Sequence, residues 1–398
     1  MHRERGPVPA LRRGGPRGGP VPDSPSGPPL VTTSLDLNEV LALDLVPPPL
    51  ADDIPKDIRI GLVGAGRIVH SGVMPAYRAV GIQPVAAVDP DPAAQDAIRE
   101  LWGVEQVFDD YRSMLDAVEP DVIDINIRWD VGLSPLRVEI VTEAARRGIH
   151  VIIAKPVAET WQQCLDMVRQ ARASGIKFGV DFNTRFAPAF YGCRALIHHG
   201  ALGPMISASI NYHSALGRQH TNAFDAVHDV CVHAVDVLQS WYGEAPEQIY
   251  GNWSRRVDGI GSVLSATMEF ASGANGTIHF DFATRHRRQF EFIAVGEHAS
   301  ADGLQDQELP GPSRMLRATL RYGPHEPRGT ALELPLQYPL SPQSYLATRA
   351  DLLQCIGTDR QPWASGTSIL RSMSTLFALK QSIADRQPVA PTLDPEDA

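Results

Sequence analysis

From Ile58 to Asp181 the chain alternates short, nearly continuous apolar runs with segments whose apolar positions recur every three to four residues. The runs "IRIGLVG", "QPVAAVD", "VIDINI", "HVIIA" and "KFGVDF" predict strands. Ile68 to Val80, Pro92 to Leu101, Tyr111 to Ala117, Leu136 to Arg147 and Thr160 to Ser174 predict helices between them. Apolar strands without alternation have both faces covered, so strand and helix in turn imply a doubly wound parallel sheet. After Phe182 the pattern changes. Helices over Ala187 to Ile197 and Asp225 to Trp241 flank "MISASINYHS", and "EQIYGNWSRR", "GSVLSATMEF", "ANGTIHFDFA" and "RQFEFIAVG" then alternate with period two. Such alternation predicts a large open, mostly antiparallel sheet covered by helices on one face. Residues 345–386 return to helical spacing.

Composition narrows the function classes. The formal net charge of -10 argues against gripping nucleic-acid phosphates or anionic lipid, both of which need a basic face. Cys164, Cys193, Cys231 and Cys355 form no CxxC pair, so neither a zinc cage nor a disulfide framework is expected, and a reducing cytoplasm fits best. No apolar run reaches the roughly 18 residues that span a bilayer. The first thirty residues hold eight prolines and six glycines, a composition that offers nothing to bury.

The first strand runs into Gly64-Ala65-Gly66 and then a helix, and the second ends at Asp89, 23 residues beyond Gly66. That context reads as a dinucleotide site: Gly64 makes the tight turn, Gly66 admits a pyrophosphate to the helix N-terminus, and Arg67 and Ile68 follow at its rim. Asp89 accepts from ribose hydroxyls and repels a 2'-phosphate, so NAD is favoured over NADP. Val69 stands where a third glycine often does.

Two further segments carry chemistry. "AKPVAET" places Lys155 and Pro156 at a strand C-terminus, where open α/β sheets bind ligands. "HDVCVHAVDVL" places Asp229, His233 and Asp236 at i, i+4 and i+7, one face of one helix. His228, Cys231 and His233 do not share a helix face, so no metal is expected. The basic run from Thr284 to Gln289 reads as a solvated hairpin.

Taken in order, Gly64-Ala65-Gly66, Ala154-Lys155-Pro156, Asn183-Thr184-Arg185-Phe186 and Asp229 to His233 resemble the Gfo/Idh/MocA family, named for glucose-fructose oxidoreductase, inositol dehydrogenase and rhizopine catabolism. The resemblance covers roughly Ile58 to Val389. It implies an N-terminal Rossmann domain, a C-terminal α/β domain, and NAD(P)-dependent oxidation or reduction of sugars, cyclitols or related alcohols. The domains expected are a disordered extension over 1–56, an NAD(P)-binding domain over 57–181, a substrate and oligomerisation domain over 182–344, and helices packing back over 345–390. A homodimer or homotetramer is implied, with an apolar open sheet face as its interface.

The resemblance assigns His233 as general acid/base, Lys155 as stabiliser of a developing alkoxide and Asp229 as binder of a hydroxyl or orienter of the lysine. A lysine base with histidine as polarising partner is equally allowed. Lys155 and Pro156 join the cofactor contacts, and Asn183, Arg185 and His213 are further substrate contacts. Three departures stand out. Ala154 replaces the usual glutamate before the lysine, Arg137 stands near the usual place of a histidine, and Val69 replaces the third glycine. Arg128 and Trp129 lie in a lengthened loop where they would take over cofactor contact. Two other readings remain: an NAD-assisted lyase or glycosidase with no net redox change, and a catalytically weakened cofactor-binding sensor.

Overall fold

A computed structural model of the chain describes residues 43, 54–55, 57–128, 132–214, 227–255, 261–284, 289–306, 314–320, 330–336 and 342–394. Most of the extension, Trp129 and the basic run 285–288 lie outside them. Ile54, which sequence reading gave to the extension, is buried and packs in one core cluster with Ile60 and Leu62. The folded part therefore begins before residue 57, because an isoleucine next to the first strand has apolar surface to bury.

The first sheet has six strands: β1 (Ile60–Val63), β2 (Ala86–Val88), β3 (Val107–Phe108), β4 (Val122–Ile125), β5 (His150–Ala154) and β6 (Phe178–Asp181). They run parallel in the order β3-β2-β1-β4-β5-β6. Chain order reverses between β1 and β4, which opens a crevice at their C-terminal ends. The crossover helices are α1 (Met74–Ala79, entered through a π-helical turn at Val69–Val73), α2 (Pro92–Trp102), α3 (Tyr111–Val118), α4 (Ser134–Arg147) and α5 (Trp161–Ser174). Local chemistry sets their ends. The Asp91 side chain caps α2 through the Ala93 amide, and Thr160 with Gln163 forms a capping box on α5. The two-residue strand β3 escaped the sequence reading.

A 3₁₀ turn (Asn183–Phe186) and α6 (Pro188–His198) lead into the second sheet. It contains β7 (Met205–His213), β8 (Gln248–Arg255), β9 (Gly261–Glu269), β10 (Asn275–Asp281), β11 (Gln289–Gly296), β12 (Ala299–Asp306), β13 (Arg314–Leu320) and β14 (Thr330–Leu336), ordered β14-β13-β12-β11-β7-β10-β9-β8. All neighbours are antiparallel except β7 with β10. A π-helical turn (Val227–Cys231) continues into α7 (Val232–Tyr242), which packs on the buried face with α6; Phe190 and Trp241 meet Phe292 there.

Residues of the opposite face alternate with the buried ones, among them Ser209, Asn211, Thr277, His279 and Glu291. Among the described side chains that face carries mainly polar residues, with Ile293 and Tyr250 as exposed large apolar ones; these residues do not present the apolar face expected from sequence.

Two C-terminal helices tie the halves together. α8 (Gln343–Cys355) places Ala350, Leu352 and Leu353 in the core of the first sheet's domain, and its Arg349 bridges β4 and β6 through Asp124 and Asp181. α9 (Gly366–Asp385) packs along α7 and β8.

Candidate active site

Gly64 ends β1 at φ +96°, and a Cβ on it would lie 3.0 Å from the main-chain carbon of Asn126 and the nitrogen of Ile127. The turn requires glycine for both reasons. At Gly66 a Cβ would meet nothing within 4 Å, so packing does not demand glycine there. Gly66, Arg67 and Ile68 are exposed at the start of the helix, leaving its N-terminal amides approachable.

The half-buried Asp89 accepts from the Ala65 amide at 2.8 Å through Oδ2 and from the Asp91 amide at 3.0 Å through Oδ1. The acid expected at the ribose thus also fastens the glycine turn. A tight turn, an open approach and a carboxylate beside them suit a pyrophosphate and its ribose. Val69 is fully buried in the core; close packing falls one turn later, where a Cβ on Gly72 would sit 3.0 Å from the Tyr345 ring of α8. Asn126, beside Gly64, is oriented by a 2.8 Å bond from Nδ2 to Asp124 Oδ1. Sequence reading passed over it, although the end of the fourth strand flanks the switch point.

Lys155 follows β5 and reaches across to the second half of the chain. Its Nζ donates to Asp229 Oδ1 at 2.8 Å and to the main-chain oxygen of the same residue. Lys155 and Asp229 remain partly exposed, with side-chain exposures of 23% and 38%. One turn on, the half-buried His233 has Nδ1 2.9 Å from Thr184 Oγ1. Thr184 lay within a quoted motif but was not singled out as a site residue. The face bearing Asp229, His233 and Asp236 therefore runs from the cleft to the interior. Asp229 itself sits on a π-helical turn, and another follows Gly66, in keeping with the frequent use of such irregularities at functional sites.

His228 points the other way. Its Nε2 lies 2.7 Å from Ala158 O and its Nδ1 2.8 Å from Lys380 Nζ on α9. A carbonyl only accepts and an ammonium only donates, so the ring is the neutral Nε2–H tautomer. Burial, reinforced by Lys380, holds its pKa down at about 3.

Three expected substrate contacts are placed differently. Arg185 is buried, and its guanidinium is engaged by Asp236, the Trp363 carbonyl and Ser368 Oγ. Asn183 is buried and donates from Nδ2 to Ser344 Oγ at 3.2 Å. His213 follows the buried Tyr212 on β7 and so faces the open side of the sheet with His279, away from α7. Arg128 is exposed. Among the described residues no group of three or more His, Cys, Asp or Glu side chains could hold a metal ion, and no helix is long and apolar enough to cross a membrane.

Residues 58–182 match the family model described as oxidoreductase family, NAD-binding Rossmann fold, and residues 190–302 match the GFO/IDH/MocA C-terminal domain. The D-apiose dehydrogenase of Paraburkholderia graminis is 24% identical over 341 residues, covering 81% of this chain and 87% of that protein. The 1,5-anhydro-D-fructose reductase of Ensifer adhaerens is 24% identical over 342 residues, covering 83% and 97%. A solved levoglucosan dehydrogenase in complex with NADH shares the fold, with a TM-score of 0.71 at 20% identity over 85% of this chain and 100% of that one.

Proposed function

The chain belongs to the Gfo/Idh/MocA oxidoreductases, and from that premise we propose that it is an NAD-dependent enzyme interconverting a secondary alcohol and a ketone on a sugar, cyclitol or nucleotide-sugar-like substrate. The observation that carries the reading is the Lys155–Asp229 contact, which brings an ammonium from the nucleotide half against the helix bearing His233. Bound NAD would supply the acceptor for the two electrons and hydrogen of the carbinol C–H. Every other task falls to the chain.

Loss of the C–H requires the hydroxyl proton to leave. With Nδ1 held by Thr184, His233 exchanges that proton through Nε2, as suits an imidazole near neutral pH. Lys155 stabilises the negative charge that grows on the oxygen, and Asp229 aims the ammonium while accepting from a neighbouring hydroxyl. Asp89, whose charge repels a 2'-phosphate, supports NAD over NADP.

The test is a panel of sugars, anhydrosugars, cyclitols and nucleotide sugars incubated with NAD and with NADH, following NADH absorbance and product together. Net NADH change with product formation is expected. Product without net change would replace this reading by a non-redox lyase or glycosidase activity, and NADH binding with no turnover across the panel would replace it by a sensor role.

A further inference from the structure

The turn that carries Lys155 is held from below by a buried cation. Arg137 on α4 is 0% exposed. Its Nη1 donates to Pro156 O at 2.6 Å and its Nη2 to Ala154 O, the two carbonyls on either side of Lys155. Among the described residues no carboxylate pairs with Arg137, and its Nε has no hydrogen-bond partner. Burial draws its pKa down to about 9.

A cation buried without counter-charge is costly, and an apolar side chain of similar volume would pack α4 against the sheet without that cost. What only a guanidinium offers is a rigid planar fork that reaches two acceptors at once. Two residues beyond Pro156, Ala158 O is held by His228 from the turn that bears Asp229. The oxygens of 154, 156 and 158 are thus gripped from the nucleotide half and from the substrate half. The residue immediately before the lysine is Ala154, which brings no side-chain acceptor of its own to orient the ammonium.

We propose that Arg137 is the positioning residue of Lys155: by fixing the main chain on both sides of the lysine it keeps the ammonium on Asp229, a task for which position 154 supplies no carboxylate. Its effect on turnover rests on the reading of Lys155 given above. Its effect on where Lys155 sits does not.

The chain has four lysines, Lys56, Lys155, Lys177 and Lys380, few enough for each to be followed by NMR after reductive methylation with ¹³C-formaldehyde. The Lys155 signal is assigned by its loss in Lys155→Arg. In the full-length protein with NADH that signal is expected apart from the free dimethyl-lysine position, and in Arg137→Met it should move to that position. Arg137→Lys keeps the charge but reaches one carbonyl, and should give an intermediate shift. With the best substrate of the panel, Arg137→Met should lower kcat about 10-fold or more, with NADH affinity within about threefold, as for lost positioning without lost binding. A Lys155 signal unmoved in folded Arg137→Met overturns the proposal. Should that variant not fold, Arg137→Lys with unchanged signal and unchanged kcat overturns it equally. Full turnover in Lys155→Ala would refute the role given to the lysine in the reaction, while the Lys155 signal in the Arg137 variants still decides this inference.

Discussion

Asp89 accepts from the amide of Ala65 at 2.8 Å, so the carboxylate expected to select the cofactor also holds the turn on which the cofactor would rest. Two substitutions separate these tasks. Asp89→Asn retains an acceptor for Ala65 but loses the charge, and should narrow the preference for NADH over NADPH while leaving NADH affinity nearly intact. Asp89→Ala loses both and should weaken NADH binding by about 1 to 3 kcal/mol. Dissociation constants for both nucleotides check this; tighter NADPH than NADH in the wild type would remove Asp89 from cofactor selection.

Arg349 offers a prediction about stability. Its guanidinium binds both oxygens of Asp124, at 2.8 and 3.2 Å, and Asp181 at 3.0 Å, and all three groups are buried. Arg349→Met would leave two carboxylates buried without their cation, a loss of about 3 to 5 kcal/mol. Burial already raises the Asp181 pKa, and removing the arginine raises it further, so the deficit should shrink as pH falls and Asp181 takes up a proton. Urea unfolding at neutral and mildly acid pH reads both effects, and a deficit that grows on acidification would count against them.

The parts of this fold legible in the sequence are those built on contiguous apolar strands or on a sustained helical stripe. β12 was not, because its inward positions are Ala299, Ala301, Gly303 and Gln305, which present no apolar alternation to read. At the site, Lys155, Asp229 and His233 stood out by residue type and spacing. Thr184 did not, since its partner is 49 residues away, and Arg137 stood out only as a departure at the usual place of a histidine, because its contacts are to main-chain carbonyls that no side-chain pattern reveals. The pairing of Arg185 with Asp236 was hidden for a related reason, the two being 51 residues apart along the chain. The face on which His213 lies was legible, because alternation along the strand puts it opposite Tyr212.

The buried neutral His228 makes the fold sensitive to acid. Its folded pKa of about 3 lies below the usual 6.5, through burial and the nearby Lys380 and Lys155, with Asp229 opposing. The unfolded chain therefore binds a proton that the native state refuses, and stability present above about pH 6.5 is lost as pH falls toward 3. His198, pulled down to about 4 by burial and Arg194, adds in the same direction. Each contributes a slope of up to about 1.4 kcal/mol per pH unit. His228→Gln can donate to Ala158 and accept from Lys380 without titrating, so its stability should fall less steeply between pH 6.5 and 5. Equal slopes in variant and wild type would show that His228 does not carry the effect.

The contact between Thr184 and His233 predicts how chemistry and binding separate. Thr184→Val removes the hydroxyl that holds Nδ1 while keeping the shape of the side chain, and should lower kcat about 10-fold by letting the ring turn. Thr184→Ser keeps the hydroxyl and should recover most of it. Lys155→Ala and His233→Ala should each cost about 10²-fold or more in kcat, as for a charge stabiliser and a proton acceptor. Neither should change NADH affinity comparably, because the glycine turn and Asp89 lie elsewhere. In the proposed reaction the two side chains act on one oxygen in one proton-transfer event, so the double variant should be little worse than the poorer single one. Steady-state kinetics with NADH titrations in parallel provide the check. Multiplicative losses in the double variant would mean that lysine and histidine serve separate steps, and near-normal turnover in both single variants would move the proton transfer to Asp229.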